Sequence, residues 1–341
     1  MYYIFCGAYK SLFFALYIRN QGNKITVLTY NKDIIKYCQA ENINCIEFQY
    51  IRSSVFTTYK LISLKRILDK IIKEVAFNTE DAFILLGDQK TYDAFYLAKE
   101  FSKKGRVYYK IPENISTKFK KSKFKPFFIR GDPIKLVLKS YYGLDLVYFR
   151  SDEKSPCFGV DKTFFNKHNM KEYLPDIDVE EAILETVKKI KSSYKEVDNL
   201  IIDQGLVISV LKFDTIKNLY EKLFELPIKF AFKKHPKITE YKSQNEEKYY
   251  NIFKNCDEIP KYIPVEFYGN NIKKNVISLY STSLTTLSQL PHLNAISLLE
   301  LVDWYDESYK NEWRERLNST SNGKIHFPKT FEELKEILLK S

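Results

Sequence analysis

The chain has 341 residues, too many for one ordinary hydrophobic core, so two domains of about 150 residues are expected. Its hydrophobic content of 45%, with only 10 Gly and 11 Pro, is sufficient for packed cores and excludes a collagen-like or disordered chain. The net charge of +11 favours an anionic partner, which could be nucleic acid, a membrane surface, a nucleotide or an acidic glycan. A lysine-rich genome would give the same charge, so charge alone does not choose among these classes.

The five cysteines include no CxxC pair, which indicates a reducing, cytoplasmic compartment and argues against a disulfide framework or a structural zinc site. The opening stretch MYYIFCGAYKSLFFALYIRNQG is apolar, but Lys10 interrupts it well short of the roughly 18 residues that a membrane span needs. We therefore expect a buried strand, a glycine turn and a helix here, in a protein that is soluble or at most peripheral to a membrane.

The first half alternates short apolar runs with amphipathic ones, the pattern of a parallel sheet with helices on its faces. The predicted strands cover residues 2–6, 24–29, 44–48, 82–86 and 107–110, and the predicted helices cover residues 9–20, 32–40, 57–75 and 90–101. A further strand over residues 144–149 is predicted to close this sheet. Together they predict an N-terminal Rossmann-like domain over residues 1–165.

The pattern weakens over residues 151–178, where the crossing between domains is expected, and then resumes. The later predicted helices cover residues 179–192, 214–226, 244–254, 284–290 and 330–339, and the strands cover residues 199–202, 227–232, 276–280 and 295–299. This predicts a C-terminal Rossmann-like domain over residues 180–328 and a closing helix within residues 329–341. The expected fold class is α/β and GT-B-like, with two Rossmann-like domains facing a central cleft.

In open parallel sheets, ligands bind beyond the carboxyl ends of the strands, so polar residues at those positions are candidates for chemistry. In NLIIDQG, Asp203 and Gly205 directly follow an apolar strand. A carboxylate there, beside a glycine that lets a backbone approach closely, is well placed as a general base. A turn or helix-capping aspartate is the alternative.

The second strand end, AFKKHPK, places His235 and Pro236 among lysines that include Lys234. An imidazole beside positive charges suits a phosphate, to which it can donate a hydrogen bond or a proton. A surface histidine in a solvated run of charges is the alternative.

The third strand end, SLYSTSLTTL, places Ser281, Thr282 and Ser283 where a strand becomes a helix. Hydroxyls and free backbone N–H groups at the start of a helix favour an anion, although ordinary helix capping uses the same residue types. The three strand ends together predict a base, an acid and a phosphate site in one domain.

In their order and context, DQG, KHP and STS resemble the three short motifs of the bacterial GT-B sialyltransferases. That group includes the lipooligosaccharide sialyltransferases and the capsule polysialyltransferases, whose motifs are an acidic pair before a glycine, a His-Pro and a Ser/Thr pair. The motif-bearing resemblance covers residues 199–290, and the opening YYIFCGAYKSLFFAL is also similar to their first strand, turn and helix. Gln204 departs from the pattern, because the family has a second acidic residue there.

The resemblance implies that Asp203 is the base that deprotonates the acceptor hydroxyl, and that His235 contacts the donor phosphate and assists the departure of CMP. Thr282 and Ser283 would hold that phosphate, with Ser281 beside them. The remaining expected site residues are Gly205, Lys234, Pro236 and Glu266 (in IPVEF) on the donor side, and Gly7 and Asp88 on the acceptor side.

The function expected from this reading is inverting transfer of sialic acid from CMP-sialic acid to a cell-surface glycan, without a metal ion or a cofactor. Two alternatives stay open, namely transfer of another CMP-activated ulosonic acid such as Kdo, and non-catalytic binding of nucleic acid or another polyanion. The basic, phenylalanine-rich segment Lys118–Arg130 is expected to touch an anionic membrane or the acceptor. Asp176 and Asp178 resemble a metal-binding DxD pair, but they open an acid-rich helix, so capping explains them.

Overall fold

The computed structural model describes residues 1–48, 58–86, 92–110, 120–121, 142–144, 147–150, 157–159, 162–172, 179–204, 211–235 and 244–340. The chain divides into two compact units, Met1–Ile183 and Leu184–Ser341. The division falls inside the helix Val179–Lys189, whereas the sequence pattern placed the crossing before residue 180. No helix in the described parts of the chain combines the length and the hydropathy required to cross a bilayer.

The first unit is built on a parallel sheet whose strands alternate with helices. Its strands are β1 (Tyr2–Phe5), β2 (Ile25–Thr29), β3 (Cys45–Glu47), β4 (Ala82–Leu86), β5 (Arg106–Lys110), β6 (Lys120–Lys121), β7 (Val147–Arg150), β8 (Cys157–Gly159) and β9 (Lys171–Glu172). Its helices are α1 (Tyr9–Asn20), α2 (Lys32–Ala40), α3 (Thr58–Glu74), α4 (Tyr92–Ser102) and α5 (Lys162–Lys167), and the next helix, α6 (Val179–Lys189), contains the division between the two units.

The parallel sheet of the first unit has the strand order β3-β2-β1-β4-β5-β9. Every residue of β2 and of β4 is buried, as expected for central strands that are covered on both faces. The order reverses between β1 and β4, because β2 and β3 lie on one side of β1 while β4 and the later strands lie on the other.

The strand predicted over residues 144–149 does not close this sheet. Its described counterpart is β7, which pairs antiparallel with β6 and β8 in a separate three-stranded sheet. The sixth strand of the parallel sheet is instead the two-residue β9, which pairs with β5. An apolar run predicts that a strand forms, but the choice of pairing partner depends on the rest of the fold.

The second unit repeats the design of the first, with a sheet in the order β12-β11-β10-β13-β14-β15. Its strands are β10 (Val197–Ile202), β11 (Phe230–Lys233), β12 (Asp257–Glu258), β13 (Ile272–Ser278), β14 (Asn294–Ser297) and β15 (Ile325–His326). Its helices are α7 (Phe213–Phe224), α8 (Gln244–Asn251), α9 (Ser283–Leu287), α10 (Glu307–Ser321) and α11 (Phe331–Lys340), with 3₁₀ turns at Val265–Asn271 and Leu299–Leu301.

Three asparagines lie in register across the middle of this sheet, where Asn199 on β10 is level with Asn275 on β13, and Asn275 with Asn294 on β14. The Asn275 amide nitrogen donates to the Asn199 side-chain oxygen at 2.7 Å, and the Asn294 amide nitrogen donates to that of Asn275 at 3.1 Å. Because a slip of one residue would break the hydrogen bonds between these side chains, two of which are buried, the ladder favours the observed register of three neighbouring strands.

The helix α10 was not predicted from the sequence. Among its residues only Leu317 and Ser321 are buried, so it has no apolar stripe to recognise. Its ends are nevertheless well marked, because the Asp306 side chain accepts the backbone N–H groups of Ser308 and Tyr309 and the helix ends at Asn322 with φ of 54°.

Both sheets are parallel, both alternate with helices, and each reverses its strand order once. The order of the first five strands in each unit is that of a Rossmann fold. The predicted α/β class with two Rossmann-like domains is therefore confirmed.

Candidate active site

In the second unit the strand order reverses between β10 and β13. The chain runs from β10 to β11 and β12 on one side, and continues from β13 to β14 and β15 on the other. Ligands of doubly wound sheets bind in the crevice at this point, outside the carboxyl ends of the strands. The predicted residues Asp203, His235 and Ser281 follow the strands β10, β11 and β13, at that edge of the sheet.

The structure brings Asp203 and His235 into direct contact. Asp203 is 3% exposed, and its Oδ2 accepts the backbone N–H of His235 at 3.1 Å and the hydroxyl of Tyr250 at 2.6 Å. Its own backbone N–H donates to the Lys233 carbonyl at 3.0 Å, so β10 and β11 remain paired up to the site. The carboxylate is thus held rigidly at the two strand ends, away from bulk water.

The two lysines after β11 have different surroundings. Lys233 is buried, and its Nζ donates to the carbonyl oxygens of Pro260 and Lys261, at 3.0 Å each. These bonds brace the loop before the 3₁₀ turn. Lys234 is half-buried, and its Nζ lies 4.4 Å from the centre of the Tyr250 ring, in a cation–π contact.

Gln204, which departs from the sialyltransferase pattern, connects the two central strands. Its amide nitrogen donates to the Ile202 carbonyl at 2.6 Å and to the Ser278 hydroxyl, and that hydroxyl donates to the same carbonyl at 2.9 Å. A carboxylate in this position would face a carbonyl oxygen without a proton to share. The amide therefore suits this site, where an ionised acid would be repelled.

The three hydroxyl residues after β13 differ in their hydrogen bonds and in their exposure. The Ser283 hydroxyl donates to Glu266 Oε1 at 2.6 Å, while the Ser281 hydroxyl accepts the backbone N–H of Ser283 at 3.3 Å and Thr282 is exposed. With its proton engaged by Glu266, Ser283 offers lone pairs rather than a donor. The following helix α9 has only five residues, so the hydroxyls, not a helix dipole, define this part of the site.

Glu266 lies in the 3₁₀ turn before β13. Burial raises the pKa of its carboxyl group above the ordinary value, and the hydrogen bond from Ser283 and the charge of Lys233 act in the opposite direction. The pair of Glu266 and Ser283 can accept hydrogen bonds from hydroxyl or amino groups of a ligand.

In the first unit, Gly7 follows β1 at the point where the strand order reverses. A Cβ atom on Gly7 would lie 3.1 Å from the Tyr30 hydroxyl, so this turn has little room for a side chain. Asp93, in the first turn of α4 after β4, was not predicted. It is 6% exposed, its Oδ2 has no hydrogen-bond partner within the described structure, and burial raises the pKa of its carboxyl group to about 6.

Several predicted positions lie outside the described residues. These are Gly205, Pro236, Asp88 and the segment Lys118–Arg130 apart from Lys120–Lys121. Within the described ranges, no three His, Cys, Asp or Glu side chains are grouped as ligands of one metal ion.

Two site residues, Tyr250 and Ser278, were missed by the sequence reading. Tyr250 is 47 positions from its partner Asp203, and Ser278 is 74 positions from Gln204. Neither follows a recognisable motif. Ser278 ends β13 but lies inside the strand predicted over residues 276–280, so the shifted strand end concealed it.

No protein-family model matches the chain, and no curated protein matches it. Solved structures with similar folds include an E. coli ADP-heptose LPS heptosyltransferase II, with 10% identity and a TM-score of 0.42 over 100% of this chain and 99% of that one. Others are the glycosyltransferase SnogD from Streptomyces nogalater (6%, TM-score 0.41, 99% and 98% covered) and Acinetobacter baumannii MurG (11%, TM-score 0.35, 99% and 90% covered). The strand order and register, not these scores, define the fold.

Proposed function

We propose that this chain is a glycosyltransferase that moves sialic acid from CMP-sialic acid to a hydroxyl group of a cell-surface glycan such as a lipooligosaccharide or a capsule. The observation that carries the proposal is the bond between Asp203 and His235 at the reversal point of the second sheet. A carboxylate and an imidazole-bearing segment are joined where this fold binds its ligands. The order of the three motifs favours sialic acid as the sugar.

In the proposed reaction, the acceptor hydroxyl oxygen forms a bond to the anomeric carbon of sialic acid while the bond from that carbon to the CMP phosphate breaks. The acceptor proton passes to Asp203, and CMP leaves with the bonding electrons. His235 and Lys234 stabilise the departing phosphate by a hydrogen bond and by positive charge. Attack on the side opposite to CMP inverts the anomeric centre.

We propose that two groups of residues bind different parts of the donor. Lys234 and His235, with Ser281 and Thr282, are assigned to the phosphate. Glu266 and Ser283 present hydrogen-bond acceptors, which suit the ribose hydroxyls or the cytosine amino group better than a phosphate. The proposed reaction needs no metal ion, because the ammonium, the imidazole and the hydroxyls neutralise the leaving phosphate.

Gly7 and Asp88 are proposed to contact the acceptor. The acceptor is proposed to be lipid-linked and reached at an anionic membrane surface through the segment Lys118–Arg130.

The test is release of CMP from CMP-sialic acid, with and without simple galactosides, by wild type and by the variants Asp203→Ala and His235→Ala. Asp198→Ala is the matched control, because Asp198 is an exposed aspartate on the same strand β10. We expect release by wild type and by the control, and a loss of at least about 100-fold in the other two variants.

Parallel assays separate the alternatives. Release of CMP from CMP-Kdo but not from CMP-sialic acid would show that the transferred sugar is Kdo and that the proposed type of reaction is correct. The protein would instead be a non-catalytic polyanion-binding protein if neither donor released CMP and the protein bound single-stranded nucleic acid in a salt-dependent way. Asp203→Ala should not change that binding.

A further inference from the structure

Tyr250, near the end of α8, contacts two groups of the candidate site at once. Its hydroxyl donates to Asp203 Oδ2 at 2.6 Å, and its ring face lies 4.4 Å from Lys234 Nζ. The side chain is 8% exposed, and its ring also packs against Phe232 on β11, with ring centres 6.3 Å apart. One aromatic residue therefore joins the ends of β10 and β11.

We propose that Tyr250 is a positioning residue for the transfer reaction, whose hydroxyl orients the carboxylate of Asp203 and whose ring orients the ammonium of Lys234. This inference rests on the proposed function and extends it, because it separates the placement of the base from the placement of the phosphate-binding cation. The two effects come from different parts of one side chain.

The hydroxyl acts on the direction of the carboxylate. Oδ2 of Asp203 receives both the Tyr250 hydroxyl and the His235 backbone N–H. Two donors on one oxygen fix the plane of the carboxylate and therefore the direction in which Oδ1 points. Because Asp203 is 3% exposed, bulk water cannot readily supply a replacement donor when the Tyr250 hydroxyl is removed.

The ring acts on the cation. A lysine ammonium above the face of a tyrosine is attracted by the negative charge of the π-system. A lysine stem has four rotatable bonds, and this contact limits the directions in which its charge can point. A phosphate that leaves near His235 would meet an ammonium already placed beside it.

Other titratable groups surround Asp203 from each element packed around it. They are Tyr220 on α7, Tyr249 and Tyr250 on α8, Tyr280 after β13 and His235 after β11, while Lys234 faces the ring of Tyr250. Burial is the main cause that raises the pKa of Tyr220, Tyr249 and Tyr280, and the charge of Asp203 adds to it. Tyr220, Tyr249 and Tyr280 are therefore neutral at pH 7.

Tyr249 provides a matched control for Tyr250. It is the preceding residue on the same helix, it is buried at 2% exposure, and it lies in the electrostatic field of Asp203. Among the described residues, however, the only phenol that donates to Asp203 is Tyr250. Removing the Tyr249 hydroxyl therefore tests burial and helix packing without touching the base.

The experiment compares kcat and KM for CMP-sialic acid in wild type and in Tyr250→Phe, Tyr250→Leu and Tyr249→Phe. Tyr250→Phe keeps the ring and loses the hydroxyl, so we expect kcat to fall about 10- to 100-fold with KM within about twofold of wild type. Tyr250→Leu also loses the ring, and we expect KM to rise in addition. Tyr249→Phe is expected to keep both constants within about twofold.

Urea unfolding curves that show both Tyr250→Phe and Tyr249→Phe to be fully folded in the assay buffer would establish that the loss of rate is not a loss of folding. An active wild type with an unchanged kcat in Tyr250→Phe would overturn the role of Tyr250 and leave the proposed function intact. A rise in KM without a fall in kcat in that variant would also overturn it. A wild type that releases no CMP from either donor would instead refute the proposed function, and the role of Tyr250 with it.

Discussion

Replacing Asp203 by asparagine separates the two roles that this residue can have. The carboxylate is both the proposed base and the acceptor that joins the His235 backbone N–H to the Tyr250 hydroxyl. Asparagine has nearly the same shape, and its side-chain oxygen can still accept these hydrogen bonds, but it cannot take a proton from the acceptor hydroxyl. Alanine removes both the bonds and the base.

The expected magnitudes for stability follow from the contacts. Asp203→Ala removes the acceptor of the buried Tyr250 hydroxyl and of the half-buried His235 backbone N–H, and each hydrogen bond to a charged group contributes about 1.5–3 kcal/mol, so the free energy of unfolding should fall by about 3–6 kcal/mol. Asp203→Asn retains the acceptor and should fall by about 1 kcal/mol. The two variants therefore differ in stability by several kcal/mol.

For activity the two variants should be alike. Loss of a general base lowers the rate by about 10²- to 10⁴-fold, whichever residue replaces it. The assays are CMP release at saturating donor and urea unfolding of the same preparations. If Asp203→Asn kept more than about a tenth of the wild-type rate while Asp203→Ala lost it, Asp203 would be a structural brace and the proposed base would be wrong.

Three further predictions concern the sheet, the first unit and the donor site. Asn275→Ala breaks the hydrogen bonds to the buried Asn199 and to the half-buried Asn294, so the free energy of unfolding should fall by about 2–4 kcal/mol. A change below about 0.5 kcal/mol would show that the ladder contributes little. The raised pKa of Asp93, from 3.8 to about 6, means that the folded state binds its proton more tightly than the unfolded chain, so stability should fall as the pH rises from about 4 to 6. Asp93→Asn should remove that dependence in urea titrations and stabilise the protein at pH 7 by about 3 kcal/mol, and an unchanged pH profile would contradict this. Glu266→Gln should raise KM for CMP-sialic acid about tenfold with a smaller effect on kcat, whereas an equal loss in both constants would place Glu266 in the chemical step.

Local patterns were sufficient to locate most of the secondary structure. The predicted helices over residues 9–20 and 32–40 coincide with α1 and α2, and the strand over residues 82–86 coincides with β4. These elements have clear apolar runs between turn residues. By contrast, α10 has almost no buried face, so its sequence lacks the apolar stripe that predicts a helix. The strands β9, β12 and β15 have two residues each, which is too short for an apolar run to be recognised.

The candidate site was partly predictable. A polar residue directly after an apolar strand can be read from the sequence, and Asp203 and His235 were found in this way. The sequence did not show that the Asp203 carboxylate accepts the backbone N–H of His235. This hydrogen bond depends on the pairing of β10 with β11 up to their last residues. The sequence predicted that Ser283 holds the donor phosphate. In the structure its hydroxyl donates to Glu266, 17 positions earlier in the chain, so Ser283 presents a hydrogen-bond acceptor instead.

The sequence by itself determined the two α/β halves, the strand ends that carry polar groups and the presence of a base beside a basic, histidine-containing segment. These are local properties, because hydrophobic periodicity and turn chemistry act over a few residues. Only the tertiary structure decided that the strand order reverses between β10 and β13, that Gln204 joins them through Ser278, and that Tyr250 reaches Asp203. Each of these contacts joins residues that are far apart in the chain, and such pairs are selected by the packing of the whole unit, which no short window of sequence contains.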